Sequence, residues 1–98
     1  MDSTAIQSPD EILADLGERI KQRRLAGGLT QRTLADKAGV SRRALIELEA
    51  GTGSTLQTLA RVLKAMDLGG NLPMVVPVPR VSPMSMLRRT SGRKRGVR

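Results

Sequence analysis

Thr30-Gln31-Arg32-Thr33-Leu34-Ala35-Asp36-Lys37-Ala38-Gly39-Val40-Ser41-Arg42-Arg43-Ala44-Leu45-Ile46-Glu47-Leu48-Glu49-Ala50-Gly51 is the stretch that decides the fold. Thr30 is a side-chain acceptor placed to cap a helix whose inward stripe is Leu34, Ala35 and Ala38, and Gly39 suits the left-handed residue that closes it. Only Gly39-Val40 separates this helix from Ser41, the cap of a second helix. Leu45 and Leu48 point that helix inward, and Gly51 stops it. Two short amphipathic helices joined by so tight a turn hold the second one proud of the body, with Arg42, Arg43, Ile46 and Glu47 on its outer side.

Outward from that stretch, Ser8-Pro9-Asp10-Glu11 combines a capping serine, a proline at the first helical position and a glutamate placed to return the cap. A helix is expected from Pro9. Ile12, Leu13, Leu16 and Ile20 recur at spacings of three and four, with Asp15, Glu18, Arg19 and Lys21 opposite, and Gly27-Gly28 ends the run. Downstream, Ser54-Thr55-Leu56-Gln57 reads as another capping box, opening a helix buried through Leu56, Leu59, Ala60, Leu63 and Met66. Gly69, Gly70 and Asn71 break it. The Pro-Val run from Leu72 to Pro79 is expected to be non-helical. The organisation is thus an arm (1–8), an all-α domain of four to five helices (9–70), an extended segment or linker (71–81) and a basic tail (82–98).

A chain of 98 residues holds one core. Without Phe, Tyr or Trp, that core must be built of Leu, Ile, Val, Met and Ala. The absence of Cys and His removes disulfides, thiol nucleophiles and nearly all transition-metal sites. The carboxylates Asp10, Asp15, Glu18, Asp36 and Asp67 scatter over exposed faces with no base or nucleophile beside them, so neither an enzyme nor a cofactor is expected. No apolar run approaches the ~20 residues that span a bilayer, and a cytoplasmic protein with no membrane partner is the expectation. Net charge is +8, but residues 1–70 hold ten basic against nine acidic residues, whereas residues 71–98 hold seven basic and none acidic. The domain is nearly neutral. A polyanion partner must therefore be argued from where its charges sit.

The pattern Thr30-Gln31-x-x-Leu34-Ala35-x-x-x-Gly39-Val40-Ser41-x-x-x-Leu45-x-x-x-Glu49-x-Gly51, followed by Thr55-Leu56 and Leu59-Ala60, resembles the Cro and phage-repressor (XRE) helix-turn-helix family from Gly28 through Leu68. The resemblance implies a lambda-repressor-like domain that binds double-stranded DNA with its second short helix in the major groove. It implies base contacts from Arg42, Arg43, Ile46 and Glu47: arginine to guanine, isoleucine to a thymine methyl, glutamate to a cytosine amino group. Thr30, Gln31, Ser41, Thr52 and Ser54 fall where the family touches the phosphate backbone. Glu49 falls where the family keeps an acid for a structural ion pair, here with Arg24, or with Arg23 as the alternative. Plainer roles compete throughout: phosphate contact for Arg42 or Arg43, a solvated position for Glu47, a protein contact for Ile46, and caps alone for Ser41 and Ser54.

By order and length the chain is also similar to HipB-type antitoxins, which implies a homodimeric, autoregulating repressor on a palindromic operator with a HipA-like kinase toxin as partner. A stand-alone phage or metabolic regulator, and a protein-interaction module on the same scaffold, are the alternatives. Pro73, Pro77 and Pro79 share one strand edge, leaving Met74, Val76 and Val78 on the other, so this segment is expected to pair with its copy across the dimer, or else to be a solvated linker. In the tail, Met84 and Leu87 precede Arg88, Arg89, Arg93, Lys94, Arg95 and Arg98. This composition suits an arm adding phosphate contacts, with partner docking or an inert extension as competitors.

Overall fold

Ser8 Oγ accepts from the Glu11 amide (3.2 Å) while Glu11 Oε1 accepts from the Ser8 amide (2.8 Å), and this reciprocal cap starts helix α1, Pro9–Ala26. The computed structural model describes residues 7–79. Within them follow α2 (Gln31–Ala38), α3 (Arg42–Ala50), α4 (Leu56–Ala65), a 3-10 turn (Gly69–Asn71) and a single-turn helix α5 (Leu72–Val75). Thr30, Ser41 and Thr55 cap α2, α3 and α4, each accepting from the amide three residues on. The described residues are all-helical, with no strand. The arm before Gln7 and the tail residues Met84, Leu87, Arg88, Arg89, Arg93, Lys94 and Arg95 lie outside the described residues.

One core joins α1 to α4. Ile20, Leu34, Ala35, Ala38, Leu45, Leu48 and Val62 are buried, and Leu16, Leu29, Val40, Leu59, Ala65 and Met66 pack around them. No aromatic side chain is needed, because α1 runs directly against the C-terminal end of α3. A Cβ on Gly17 would lie 2.5 Å from the Leu48 carbonyl oxygen and nearer still to that of Glu49. A glycine inside a helix costs roughly 0.5–1 kcal/mol against alanine. Here close approach of two backbones requires it. Gly51, at φ 74°, meets α1 in the same place: its Cβ would lie 2.7 Å from Ala14 Cα.

Four expectations are corrected. The apolar stripe of α1 does not enter the core at its first turn: Ile12 and Leu13 are exposed, and the inward line is Leu16, Gly17, Ile20 and Arg24. Helix α4 is capped by Thr55, not by a box from Ser54, because the chain is still turning at Ser54. It is also rotated by about one residue's turn, ~100°, from the expected face. Val62 is fully buried, while Leu56 and Ala60 are exposed and Leu59, Leu63 and Met66 are half-buried.

The fourth correction concerns the Pro-Val run. Leu72 takes helical dihedrals (φ −54°, ψ −39°) although it precedes proline, a position that ordinarily disfavours them. Pro73 stands in the first turn, where its missing N–H leaves no bond unmade, and the Val76 amide donates to the Leu72 carbonyl at 2.9 Å. Met74 thus lies inside a helical turn and the Val76 donor is already used. The open strand edge of Met74, Val76 and Val78 is not formed.

Candidate nucleic-acid interface

The turn between α2 and α3 is closed by two backbone bonds, from the Gly39 amide to Asp36 O (3.2 Å) and from the Val40 amide to Ala35 O (3.0 Å), with Gly39 at φ 74°. Ser41 Oγ then accepts from the Ala44 amide at 3.0 Å. With Leu45 and Leu48 buried, the outer side of α3 is Arg42, Arg43, Ile46 and Glu47, all exposed. Arg43 Nε donates to Glu47 Oε2 at 3.4 Å, and their side chains are 87% and 50% exposed, so water screens this pair.

Beneath α3 lies a charged brace. Arg24, late in α1, donates from Nε to Glu49 Oε2 (2.7 Å) and from Nη2 to Glu49 Oε1 (3.1 Å), a two-point fork between side chains only 8% and 4% exposed. Its Nη1 donates to the Leu29 carbonyl at 2.9 Å, just before α2. Gln31 Nε2 donates to Glu49 Oε1 at 3.1 Å. The Glu49 carboxylate thus ties the end of α3 to the end of α1 and the start of α2, and the Arg24 guanidinium adds the α1–α2 loop. The hydrogen bond to Glu49 raises the Arg24 pKa further above its ordinary value, against the opposing effect of burial, so the guanidinium stays charged. Among the described residues no buried side-chain polar atom lacks a partner.

The polar residues around α3 have local duties as well. Thr30 Oγ1 accepts from the Thr33 amide (3.0 Å) and donates to Thr33 Oγ1 (2.9 Å). Thr52 bonds the Glu47 carbonyl through its amide (3.2 Å) and hydroxyl (3.3 Å), and Ser54 Oγ donates to the Thr55 carbonyl at 3.2 Å. On one flank of α3, Thr30, Gln31, Arg32 and Arg42 line an open concavity of about 590 Å³. On the other, Glu47, Thr52, Ser54 and Thr58 line one of about 510 Å³. Thr30, Gln31 and Arg42 thus come together on one flank, Glu47, Thr52 and Ser54 on the other, and Ser41 sits at the tip of the turn between α2 and α3.

The helix-turn-helix family matches residues 20–70, just over half of the chain, and spans this brace, the turn and α4. The chain belongs to that family. It is a DNA-binding family, and the exposed face of α3 in this helix-turn-helix protein is the surface that such a fold presents. No curated protein matches the chain. Among the described residues no helix is long and apolar enough to cross a membrane.

Two features of the site were not anticipated from the residues alone. Gln31 is partly committed to Glu49, which a reading of it as a phosphate donor did not include; its signal was a polar side chain at the first position of a helix facing a buried acid. Gly17 sets how closely α1 approaches α3. A glycine between Leu16 and Ile20, inside an otherwise unbroken helical pattern, was the available sign.

Proposed function

We propose that this helix-turn-helix protein is a homodimeric, sequence-specific transcriptional repressor that reads a palindromic operator through the exposed face of α3. The observation that carries the proposal is the pairing of an exposed Arg42-Arg43 at the start of α3 with a buried Arg24–Glu49 pair, joined by the half-buried Gln31, at its end. Binding specificity requires side chains held in a fixed place, and a brace with every polar atom satisfied supplies that rigidity. A scaffold serving protein contacts alone would gain nothing from two guanidiniums there.

In this reading Arg42 and Arg43 reach guanine N7 and O6, Ile46 packs on a thymine methyl, and Glu47 accepts from a cytosine amino group. Thr30, Gln31, Ser41, Thr52 and Ser54 anchor phosphates on either flank, helped by the free amides at the start of α2. One such domain touches too few base pairs for useful specificity. Two copies on half-sites about 34 Å apart supply the remainder, and occupancy of the operator excludes polymerase. The likeness to HipB-type antitoxins rested on the order and length of a last helix over Ser54–Leu68 and a strand over Leu72–Val78; a helical turn occupies Leu72–Val75, and the proposal stops at an operator-binding repressor and names no toxin partner.

The test is binding to DNA from the chain's own promoter, followed by selection from a random duplex pool. A selected palindrome bound by the wild type and lost by Arg42→Ala or Arg43→Ala supports the proposal. Equal affinity for the promoter and for random DNA, unchanged in both variants, refutes it.

A further inference from the structure

A groove of about 290 Å³ runs between α1, α4 and α5, and none of the residues that line it belongs to α2 or α3. The buried Ile20 is its floor, the half-buried Leu16, Leu59 and Leu63 are its sides, and Leu72 and Val75, both more than half exposed, are its outer wall. Its polar lining is Arg19, Arg23 and Asn71, with no acid among the residues that line it. Arg19 carries its own counterion, Asp15, at 3.1 Å. Among the described residues no carboxylate pairs with Arg23, and the Asn71 side chain does not cap α5. Arg23 also borders a neighbouring concavity together with Lys37 and Asp67, whose charges offset each other.

We infer that this groove binds a medium-chain aliphatic carboxylate, with its hydrocarbon chain along the leucines and its head at Arg23 and Asn71. Three observations commit the site to that chemistry. A small-molecule site is an apolar hollow with a few polar groups that fix orientation, and here those groups are donors: a guanidinium only donates, and Asn71 offers an amide NH2. With no acid beside them, the head they suit is anionic, and a carboxylate matches a guanidinium at two points. The apolar walls, in turn, are aliphatic throughout, and the chain has no Phe, Tyr or Trp. A flat aromatic ring finds no aromatic partner there, whereas a flexible chain packs on methyl groups. Size then sets the length. At about 30 Å³ for a group the size of a water molecule, which a methylene approaches, 290 Å³ holds roughly ten such groups.

The site shares no residue with the DNA-facing surface, so it stands or falls apart from the repressor reading. The experiment is NMR of the full chain, labelled at Leu and Val methyls, titrated with sodium decanoate below its micelle concentration, for wild type, Arg23→Gln and Arg32→Gln. Both arginines are exposed, and an unchanged melting temperature verifies that each variant folds. The expected result is a saturable shift of the Leu63, Leu72 and Val75 methyls. Arg23→Gln weakens decanoate binding by about fivefold or more, while Arg32→Gln, which removes the same charge away from the groove, leaves it unchanged. Octanoate, two methylenes shorter, binds at least about fourfold more weakly, and decyltrimethylammonium, with the same chain and a cationic head, about tenfold more weakly. Shifts that do not saturate, or equal binding of the anionic and cationic amphiphiles, overturn the proposal. Leu72 methyls that move with protein concentration and not with decanoate give the groove to a second copy, and methyls that move on deleting residues 80–98 give it to the chain's own tail; either outcome also overturns it.

Discussion

The two sides of α4 show two ways in which apolar surface is handled in one small domain. On the inner side, Val62 closes a core against α2 and α3, and the buried charges among the described residues, Arg24 and Glu49, answer each other at 2.7 Å. On the outer side, Leu56, Leu63 and Leu72 form ridges and grooves that no other described residue covers. The inner side holds α3 in place; the outer side is open to a ligand. Substitutions on the inner side should therefore cost stability, and those on the outer side should cost ligand binding.

The largest effect is expected at the brace. Glu49→Gln leaves Arg24 as a buried cation without its counterion, which costs about 3 kcal/mol or more in cases where one partner of a buried pair is removed. For a domain of this size that lowers the melting temperature by well over 10 °C, at about 4–8 °C per kcal/mol. A melt within a degree or two of wild type would show that the fork contributes little and that packing alone orients α3. Gly17→Ala comes next. Its methyl meets the Leu48 and Glu49 carbonyls, which are backbone and cannot rotate away, so α1 must shift off α3 at a cost of about 1–3 kcal/mol. Chemical denaturation measures this, and a neutral or stabilising alanine would mean that the approach of α1 to α3 has slack.

Which parts of this were legible in the sequence follows from how local each signal is. The caps at Ser8, Thr30 and Ser41 and the turn at Gly39 are written in contiguous residues, because the atoms that bond are three or four positions apart. The face of α4 is not. Its leucines at 56, 59 and 63 make the more hydrophobic stripe, yet Val62 is the fully buried residue, because the side of α4 that meets the core is set by its packing on α2 and α3, contacts distant in sequence. The α5 turn was missed for a related reason. Proline argues against helix by preventing one hydrogen bond, and that argument lapses in a first turn, where no such bond exists.

Intermediate effects belong to the exposed start of α3. Arg42→Ala and Arg43→Ala are each expected to weaken operator binding by about 1–3 kcal/mol while moving stability by less than about 0.5 kcal/mol, since neither side chain is buried. Fluorescence anisotropy on operator and scrambled duplexes separates the roles. Loss confined to the operator marks a base contact, and equal loss on both marks a phosphate contact.

The smallest effect is expected at Glu47, where the direction matters more than the size. Its carboxylate is half exposed and 3.4 Å from Arg43, a pair worth at most about 1 kcal/mol to folding in water, so Glu47→Gln should leave the melt almost unchanged. On the proposed reading the same carboxylate is expected to act twice on DNA, repelling phosphates wherever the helix docks out of register and holding Arg43 back from any anion that is not well placed. Glutamine removes both effects while keeping an acceptor for a cytosine amino group and adding a donor suited to adenine. Affinity for random duplex should then rise by about two- to fivefold, up to about 1 kcal/mol, with little gain on the operator, so that the ratio between them falls. The salt dependence separates this from a general gain in basic charge: a released Arg43 that finds a phosphate steepens the slope of log affinity by about 0.9 on random DNA. If affinity for both duplexes were to rise equally with no change in slope, Glu47 would be only a solvated residue on the outer side of α3, and specificity would rest on Arg42, Arg43 and Ile46 alone.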